Sequence, residues 1–219
     1  MKFPQYHRMG TRALLLETQQ QQAHLPIQRI YWRLDALCRS LPGIIESVPG
    51  MNNLLMIFDS MIHREESIIA LCGLWEQSLE EGRNHEPASV TVGVRYGGAG
   101  GLDLAEVAAS ANMSIDELVR RHAAGEYTVF CLGAHPGFAY LGGLEQALHT
   151  PRKPVPRSLV PAGSVAIGGS QTGVTAASLA SGWNLIGTTD SVFFDYQASP
   201  PTLLAPGDLV RFEIVEITP

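Results

Sequence analysis

Apolar and polar positions follow two different periods along this chain, and the change of period divides it. Ala13–Glu17 is a short apolar run and predicts a strand. From Leu25 to Leu41, the residues Ile27, Ile30, Tyr31, Leu34, Leu37, Cys38 and Leu41 recur on one helical face. Pro42-Gly43 stops that helix. Ile44–Val48 and Leu54–Phe58 predict a hairpin around the turn-rich Pro49-Gly50-Met51-Asn52-Asn53. A second helix is predicted from about Glu65 to Glu80, with Ile68, Ile69, Cys72, Trp75 and Leu79 as its buried stripe. The polar segment Glu81–Ala88 then breaks the pattern and is the best linker candidate. Residues 1–87 thus predict a small α/β domain, a β-α-β-β-α unit with helices on one face of a mainly antiparallel sheet.

Beyond the linker, short β signals dominate. Val90–Tyr96 alternates as a strand. Asp103 with Glu106, and Ser114 with Glu117, fit capping boxes opening two helices, the second reaching about Ala123. Strands are predicted at Tyr127–Leu132, Val165–Gly168, Thr172–Ala176, Leu185–Thr189, Ser191–Phe194 and Leu209–Ile217, separated by Gly and Pro turns. That spacing predicts a closed or partly closed β barrel over residues 88–219.

Composition sharpens this picture. Of the 22 glycines, 16 lie between Gly93 and Gly187, interleaved with Pro, Trp and β-branched runs. This is the texture of a folded β domain whose loops build a surface. Between Arg121 and Arg211 the only Lys or Arg residues are Arg152, Lys153 and Arg157, all in the proline-rich Thr150–Pro161 segment. An isolated basic cluster on a stiff loop is either a seat for a carboxylate or phosphate or a solvated loop with ordinary surface cations.

Charge and cysteine content exclude several classes. The net charge is −6 and neither half carries a basic face, which argues against nucleic-acid binding. No apolar run approaches the roughly 20 residues of a membrane span. The start MKFPQYHRMGTR lacks an apolar signal core, so the expected location is the cytoplasm. Cys38, Cys72 and Cys131 sit in apolar contexts and read as reduced core residues. Cys131 and His135 are four apart without further ligands, so no metal site is expected.

Several residues are candidates for chemistry. Gly97-Gly98-Ala99-Gly100-Gly101 lies between a strand and a helix, but completes neither a P-loop nor G-x-G-x-x-G. It reads as a tight turn or as a minor anion site at a helix start. His135, in Gly133-Ala134-His135-Pro136-Gly137, is presented by a pinned loop. Ser164 precedes a β run and is either a nucleophile or a strand-entry serine. Phe138, Tyr140 and Trp183 either line a pocket or belong to the core. Gln171 and Thr172 lie in a glycine-flanked turn, so their polar groups face solvent or a polar pocket.

Five ordered segments carry a resemblance: YGGAGGLDLAEVA, GEYTVFCLGAHPGFAYLGG, TPRKPVPRSLVPAGSVAIGGSQTGV, GWNLIGTT and PPTLLAPGDLVRF. Together they resemble the family that contains the B subunit of 5-oxoprolinase, the kinase inhibitor KipI and proteins labelled allophanate hydrolase subunit 1. The match covers nearly all of residues 90–219; IYWRLDAL and VPGMNNLLMIF extend it more loosely into the first half. The resemblance implies an α+β N-terminal domain followed by a cyclophilin-like β-barrel domain. It implies partners, subunits C and A, with which 5-oxo-L-proline is opened to L-glutamate using ATP with Mg2+. In that scheme ATP phosphorylates the lactam carbonyl and water opens the ring. Arg152, Lys153, Arg157, Gln171 and Thr172 are then expected to bind substrate or another anion, with His135 and Ser164 as catalytic candidates. Two other functions come with the same family: a KipI-like inhibitor of a sensor histidine kinase, and a subunit of a urea- or allophanate-processing enzyme. The stretch Thr175–Ser181 departs from the family's usual text, with Leu179-Ala180-Ser181-Gly182-Trp183 where Pro-Gly-Gly-Trp is common.

Overall fold

The computed structural model describes residues 2–19, 24–39, 41–60, 64–80 and 87–218, with the backbone alone over 64–68. The chain divides into two compact units, Met1–Glu86 and Pro87–Pro219. Most of the Glu81–Ala88 linker candidate lies outside the described residues. None of the described helices is long and apolar enough to cross a membrane.

The first unit is a four-stranded antiparallel sheet carrying two helices. In chain order it runs β1 (Gln5–Arg8), β2 (Ala13–Glu17), α1 (Leu25–Cys38), β3 (Ile44–Gly50), β4 (Asn53–Phe58) and α2 (Arg64–Leu79). The sheet order is β1-β2-β4-β3. Strand β1 is additional to the sequence expectation; its text, QYHR, is mostly exposed and has no apolar alternation to reveal it. Leu14, Leu16, Leu54 and Met56 point from one face of the sheet into a core shared with Tyr31 and Leu34 of α1 and Trp75 of α2. Each such buried side chain contributes about 1.5–3 kcal/mol of burial. The expected stripe of α2 is rotated: Leu71, Trp75 and Ser78 are buried, whereas Ile69 is exposed. Ile68 lies among the residues whose side chains are not described. Leu71, Trp75 and Ser78 follow the i, i+4, i+7 rule, and packing of the large indole against Tyr31 selects that face.

The second unit is a closed barrel. Its strands are β5 (Ser89–Gly97), β6 (Glu126–Leu132), β7 (Ala139–Gly142), β9 (Ser164–Gly168), β10 (Gln171–Val174), β12 (Asn184–Thr188) and β13 (Leu209–Thr218). Around the barrel the order is β10-β7-β6-β13-β5-β12-β9, closed by pairing of β9 with β10. All pairs are antiparallel except β13 with β5. Val92, Val94 and Tyr96 alternate inward from β5 and meet Val129, Ile167, Ile186 and Phe212 in the interior. Helices α3 (Leu104–Ser110) and α4 (Ile115–Ala124) connect β5 to β6. Outside the barrel, β8 (Arg157–Val160) and β11 (Leu179–Ser181) form a separate two-stranded sheet.

Three sequence expectations change here. Ser191–Phe194 is not a strand; Phe194 makes a single bridge to Thr202. The facing segment contains Pro200 and Pro201, which lack the N–H groups a ladder needs. Strands β7, β8 and β11 were hidden by their shortness and by neighbouring Gly and Pro. At Asp103 the capping box does not form, because its side chain makes no capping hydrogen bond. At Ser114 the expected cap does form, with the hydroxyl accepting the Glu117 N–H at 3.2 Å.

Candidate functional site

The three clustered cations have different fates. Arg157 grips Asp103 bidentately, Nη1 to Oδ2 at 2.8 Å and Nη2 to Oδ1 at 2.7 Å. Lys153 Nζ reaches the same carboxylate at 2.8 Å and Glu106 at 3.1 Å. The Asp103 side chain is 3% exposed and also accepts the Leu185 N–H at 2.8 Å. Desolvation pushes its pKa up, but the Arg157, Lys153 and backbone hydrogen bonds outweigh that and hold it below the usual carboxylate value. Asp103 thus ties the start of α3 to the basic loop and to β12. Arg152 is exposed and makes no ion pair with any described residue. Its guanidinium instead lies 5.4 Å above the centre of the Trp183 ring.

The loop that carries Arg152 is sewn to the barrel. Thr150 and Gly169 exchange backbone hydrogen bonds at 3.1 and 2.7 Å. The Lys153 N–H donates to the Gly182 carbonyl at 2.7 Å. Asn184 Nδ2 donates to the carbonyls of Pro151 and Ile167, at 2.9 and 3.1 Å. Arg152 therefore sits on a fixed backbone beside the β9–β10 turn.

Under Arg152 lies an aromatic cluster on the outer face of β9 and β10. Phe138 meets Tyr140 edge-on at 4.9 Å and Trp183 at 5.5 Å. Tyr140 and Trp183 are 6.2 Å apart. The indole lies flat enough on β9 that a Cβ on Gly168 would come within 2.5 Å of it. Burial raises the Tyr140 pKa above its ordinary value, with Cys131 adding and Arg152 opposing. The core reading of these aromatics holds: Phe138 and Trp183 are buried with Val160, Ala166 and Leu185, and the half-buried Tyr140 packs against them.

His135 borders this cluster, its ring 5.1 Å from Phe138. The loop that holds it places Ala134 at φ 64°, and Gly137, at φ 80°, is pressed so close to Phe193 and Phe194 that a Cβ would clash. His135 Nε2 accepts the Ala176 N–H at 3.3 Å. Burial lowers the His135 pKa, so the ring is neutral and carries its proton on Nδ1. That Nδ1 is buried and has no hydrogen-bond partner among the described residues. Gln171 Nε2 is likewise buried without a partner among the described residues.

The remaining candidates lie elsewhere. Ser164 is buried, and its hydroxyl donates to the Pro161 carbonyl at 2.9 Å. It makes no hydrogen bond to His135 among the described residues. Thr172 faces the barrel interior, where its Oγ1 donates to the Ala166 carbonyl at 3.1 Å and meets His122 Nε2 at 2.8 Å. His122 Nδ1 in turn meets the Tyr96 hydroxyl at 2.7 Å, and its ring stacks on Phe212 at 4.7 Å. Because Thr172 spends its proton on Ala166, His122 donates from Nε2 and accepts from Tyr96 at Nδ1. Burial drives the His122 pKa down to about 3. Sequence reasoning did not single out this histidine, although Leu118, Val119 and His122 mark one buried face of α4.

The Gly97–Gly101 loop uses its own polar groups. The Gly101 N–H donates to the Gly97 carbonyl at 2.8 Å, Asp103 N–H to Leu185 at 2.9 Å, and Leu104 N–H to Gly101 at 2.9 Å. Three N–H groups at this strand-to-helix turn are thus spent within the loop and on β12.

Comparison with known proteins identifies relatives over almost the whole chain. Residues 4–204 match the family described as carboxyltransferase domain, subdomain C and D. The B subunit of the 5-oxoprolinase of Escherichia coli O157:H7 is 43% identical over 210 residues, 93% of each chain. That of Bacillus subtilis is 41% identical over 182 residues, 78% of this chain and 75% of that one. Among solved structures, the protein TTHA0988 superimposes with a TM-score of 0.79 at 34% identity, covering 95% of this chain but 41% of that longer one. The urea carboxylase of Kluyveromyces lactis shares the fold, with a TM-score of 0.79 at 20% identity over 96% of this chain and 21% of that one.

Proposed function

The chain belongs to the family of carboxyltransferase domains, subdomain C and D, and on that premise we propose that it is the B subunit of an ATP-dependent 5-oxoprolinase. The observation that carries the reading is the 43% identity to the B subunit of a 5-oxoprolinase over 93% of both chains. In this reading the chain works with subunits A and C to open 5-oxo-L-proline to L-glutamate, in the cytoplasm, where ATP is available. The barrel is then of the cyclophilin-like type.

ATP with Mg2+ supplies the phosphoryl group that activates the lactam carbonyl. The Gly97–Gly101 loop completes no nucleotide motif, so the nucleotide contacts are assigned to the assembled complex. What this chain contributes is a rigid, aromatic, cation-bearing face. Arg152 is the anion contact of the basic cluster, because it alone of the three is not committed to Asp103. Lys153 and Arg157 hold the loop that presents it. Thr172 supports the same region from inside the barrel, and Gln171 acts from outside. Of the two catalytic candidates, His135 lies beside the face and Ser164 is confined to holding strand β9.

The test is reconstitution. Co-expression with the cognate subunits A and C is expected to yield a complex whose release of ADP depends on 5-oxoproline and matches glutamate formed. Omission of this chain is expected to abolish turnover. A complete set of subunits that hydrolyses ATP without regard to 5-oxoproline would overturn the reading, as would full turnover without this chain.

A further inference from the structure

The outer face of β9 and β10 carries two hydrogen-bond donors, on Gln171 and Arg152, that have no acceptor among the described residues, and a third, on His135, lies at its border. Gln171 pairs with Gly168 across the ladder, so its side chain rises on the same face that the Trp183 indole covers. Gly173, two residues on, also points to that face; a Cβ there would lie 3.4 Å from both Phe138 and Trp183. Gln171, Phe138 and Trp183 are therefore neighbours on one surface, with Arg152 over the indole and His135 beside Phe138.

Gln171 Nε2 and His135 Nδ1 are N–H groups buried without a partner among the described residues. The Arg152 guanidinium is a third donor, and the only one with a charge. A buried donor left unmade costs about 1–3 kcal/mol, a cost that a ligand offering an acceptor relieves. The two donors at the indole, Gln171 and Arg152, call for a ligand with several acceptor oxygens, at least one of them negative. The edge-to-face rings of Phe138, Tyr140 and Trp183 call for a small ring with apolar edges. Each of these aromatics is already locked by its neighbours, so little ordering remains to be done when a ligand arrives.

We propose that this face binds a small cyclic amide bearing a carboxylate, with the carboxylate on Arg152, the ring carbonyl oxygen on the Gln171 amide and the ring against Trp183 and Tyr140. The identity of the ligand as 5-oxoproline rests on the 5-oxoprolinase reading; the donor pattern alone selects the chemical class. Gln171 is then the residue that separates a lactam from its ring amine, because only the lactam offers an acceptor there. Arg152 separates the carboxylate from a neutral lactam.

Two measurements test this. In the reconstituted complex, Gln171→Ala and Arg152→Ala are each expected to raise KM for 5-oxoproline by about ten- to hundred-fold while leaving KM for ATP unchanged. Gln171→Glu, which turns the donor into an acceptor, is expected to do worse than Gln171→Ala. Arg152→Lys is expected to recover part of the loss. Unchanged KM values in a complex whose wild type turns over 5-oxoproline would overturn the site and leave the functional reading standing. The second measurement needs no partner: indole fluorescence of the chain alone, titrated with 5-oxoproline, proline and 2-pyrrolidinone. A saturable change with 5-oxoproline that is weaker by at least about ten-fold for the other two, and is lost in Gln171→Ala, supports the site even if the complex proves inactive. Equal responses to all three, or none, would overturn it.

Discussion

Arg157 and Asp103 meet through two parallel hydrogen bonds of 2.8 and 2.7 Å, across 54 positions of sequence. The carboxylate end of this pair is 3% exposed and the guanidinium end 27%. The contact joins the N-terminal end of α3 to β8, and through the Leu185 N–H to β12. It makes Arg157 a structural residue of the barrel's outer layer, whatever the neighbouring Arg152 binds.

Removing one partner of this pair is expected to cost far more than removing Arg152. Arg157→Ala leaves a buried carboxylate with Lys153 as its remaining cation, at a cost of about 3 kcal/mol. Asp103→Asn is expected to cost a similar amount. Arg152→Ala removes an exposed cation–π contact worth about 0.5–1 kcal/mol. Thermal melting of the three variants checks the order. The Asp103 contribution is complete above the ordinary carboxylate pKa of 3.8 and is lost only as pH falls below it, towards the lowered folded value.

His122 produces pH dependence in a different window. Its folded pKa is about 3, against 6.5 for an ordinary histidine. Below pH 6.5 the unfolded chain takes up a proton that the folded chain refuses, so stability falls as the pH drops towards 3. The slope is at most about 1.4 kcal/mol per pH unit. His122→Gln is expected to be less stable at pH 7, with a gap to wild type that narrows on acidification. Urea unfolding at pH 7, 6 and 5 measures the gap; a constant gap would refute the assignment.

Gly168 is required by the indole that lies on it. A Cβ there would stand 2.5 Å from the Trp183 ring. Gly168→Ala is expected to push the ring off β9 and cost about 1–3 kcal/mol. Its emission is expected to shift to longer wavelength as the indole meets water. An unshifted spectrum with unchanged melting would show that the ring does not rest there.

The two units are proposed to be independently folding domains, 1–87 and 88–219. Limited proteolysis is then expected to cut within residues 81–88 and to release a stable C-terminal fragment. Cleavage spread evenly along the chain would count against the boundary.

Much of this architecture is legible in the sequence, for local reasons. Strand β2, helix α1 and the hairpin of β3 with β4 follow from apolar periodicity and turn residues, which act over a few positions. So does the barrel, whose interior residues Val92, Val94 and Tyr96 alternate in the text itself. The aromatic residues and the basic loop were visible as separate features, because composition alone sets them apart.

What only the tertiary structure decided is which distant groups meet. Asp103 reads as a helix cap until a guanidinium 54 residues away claims its carboxylate. Thr172 and Gln171 are adjacent in a polar turn, yet strand alternation sends Thr172 inward to His122 and Gln171 outward to the aromatic face. Three clustered cations look equivalent until two of them are spent on one buried acid. Sequence carries the period of each element, which fixes its own faces. Pairing between elements depends on register and on long-range desolvation, and these exist only once the barrel has closed.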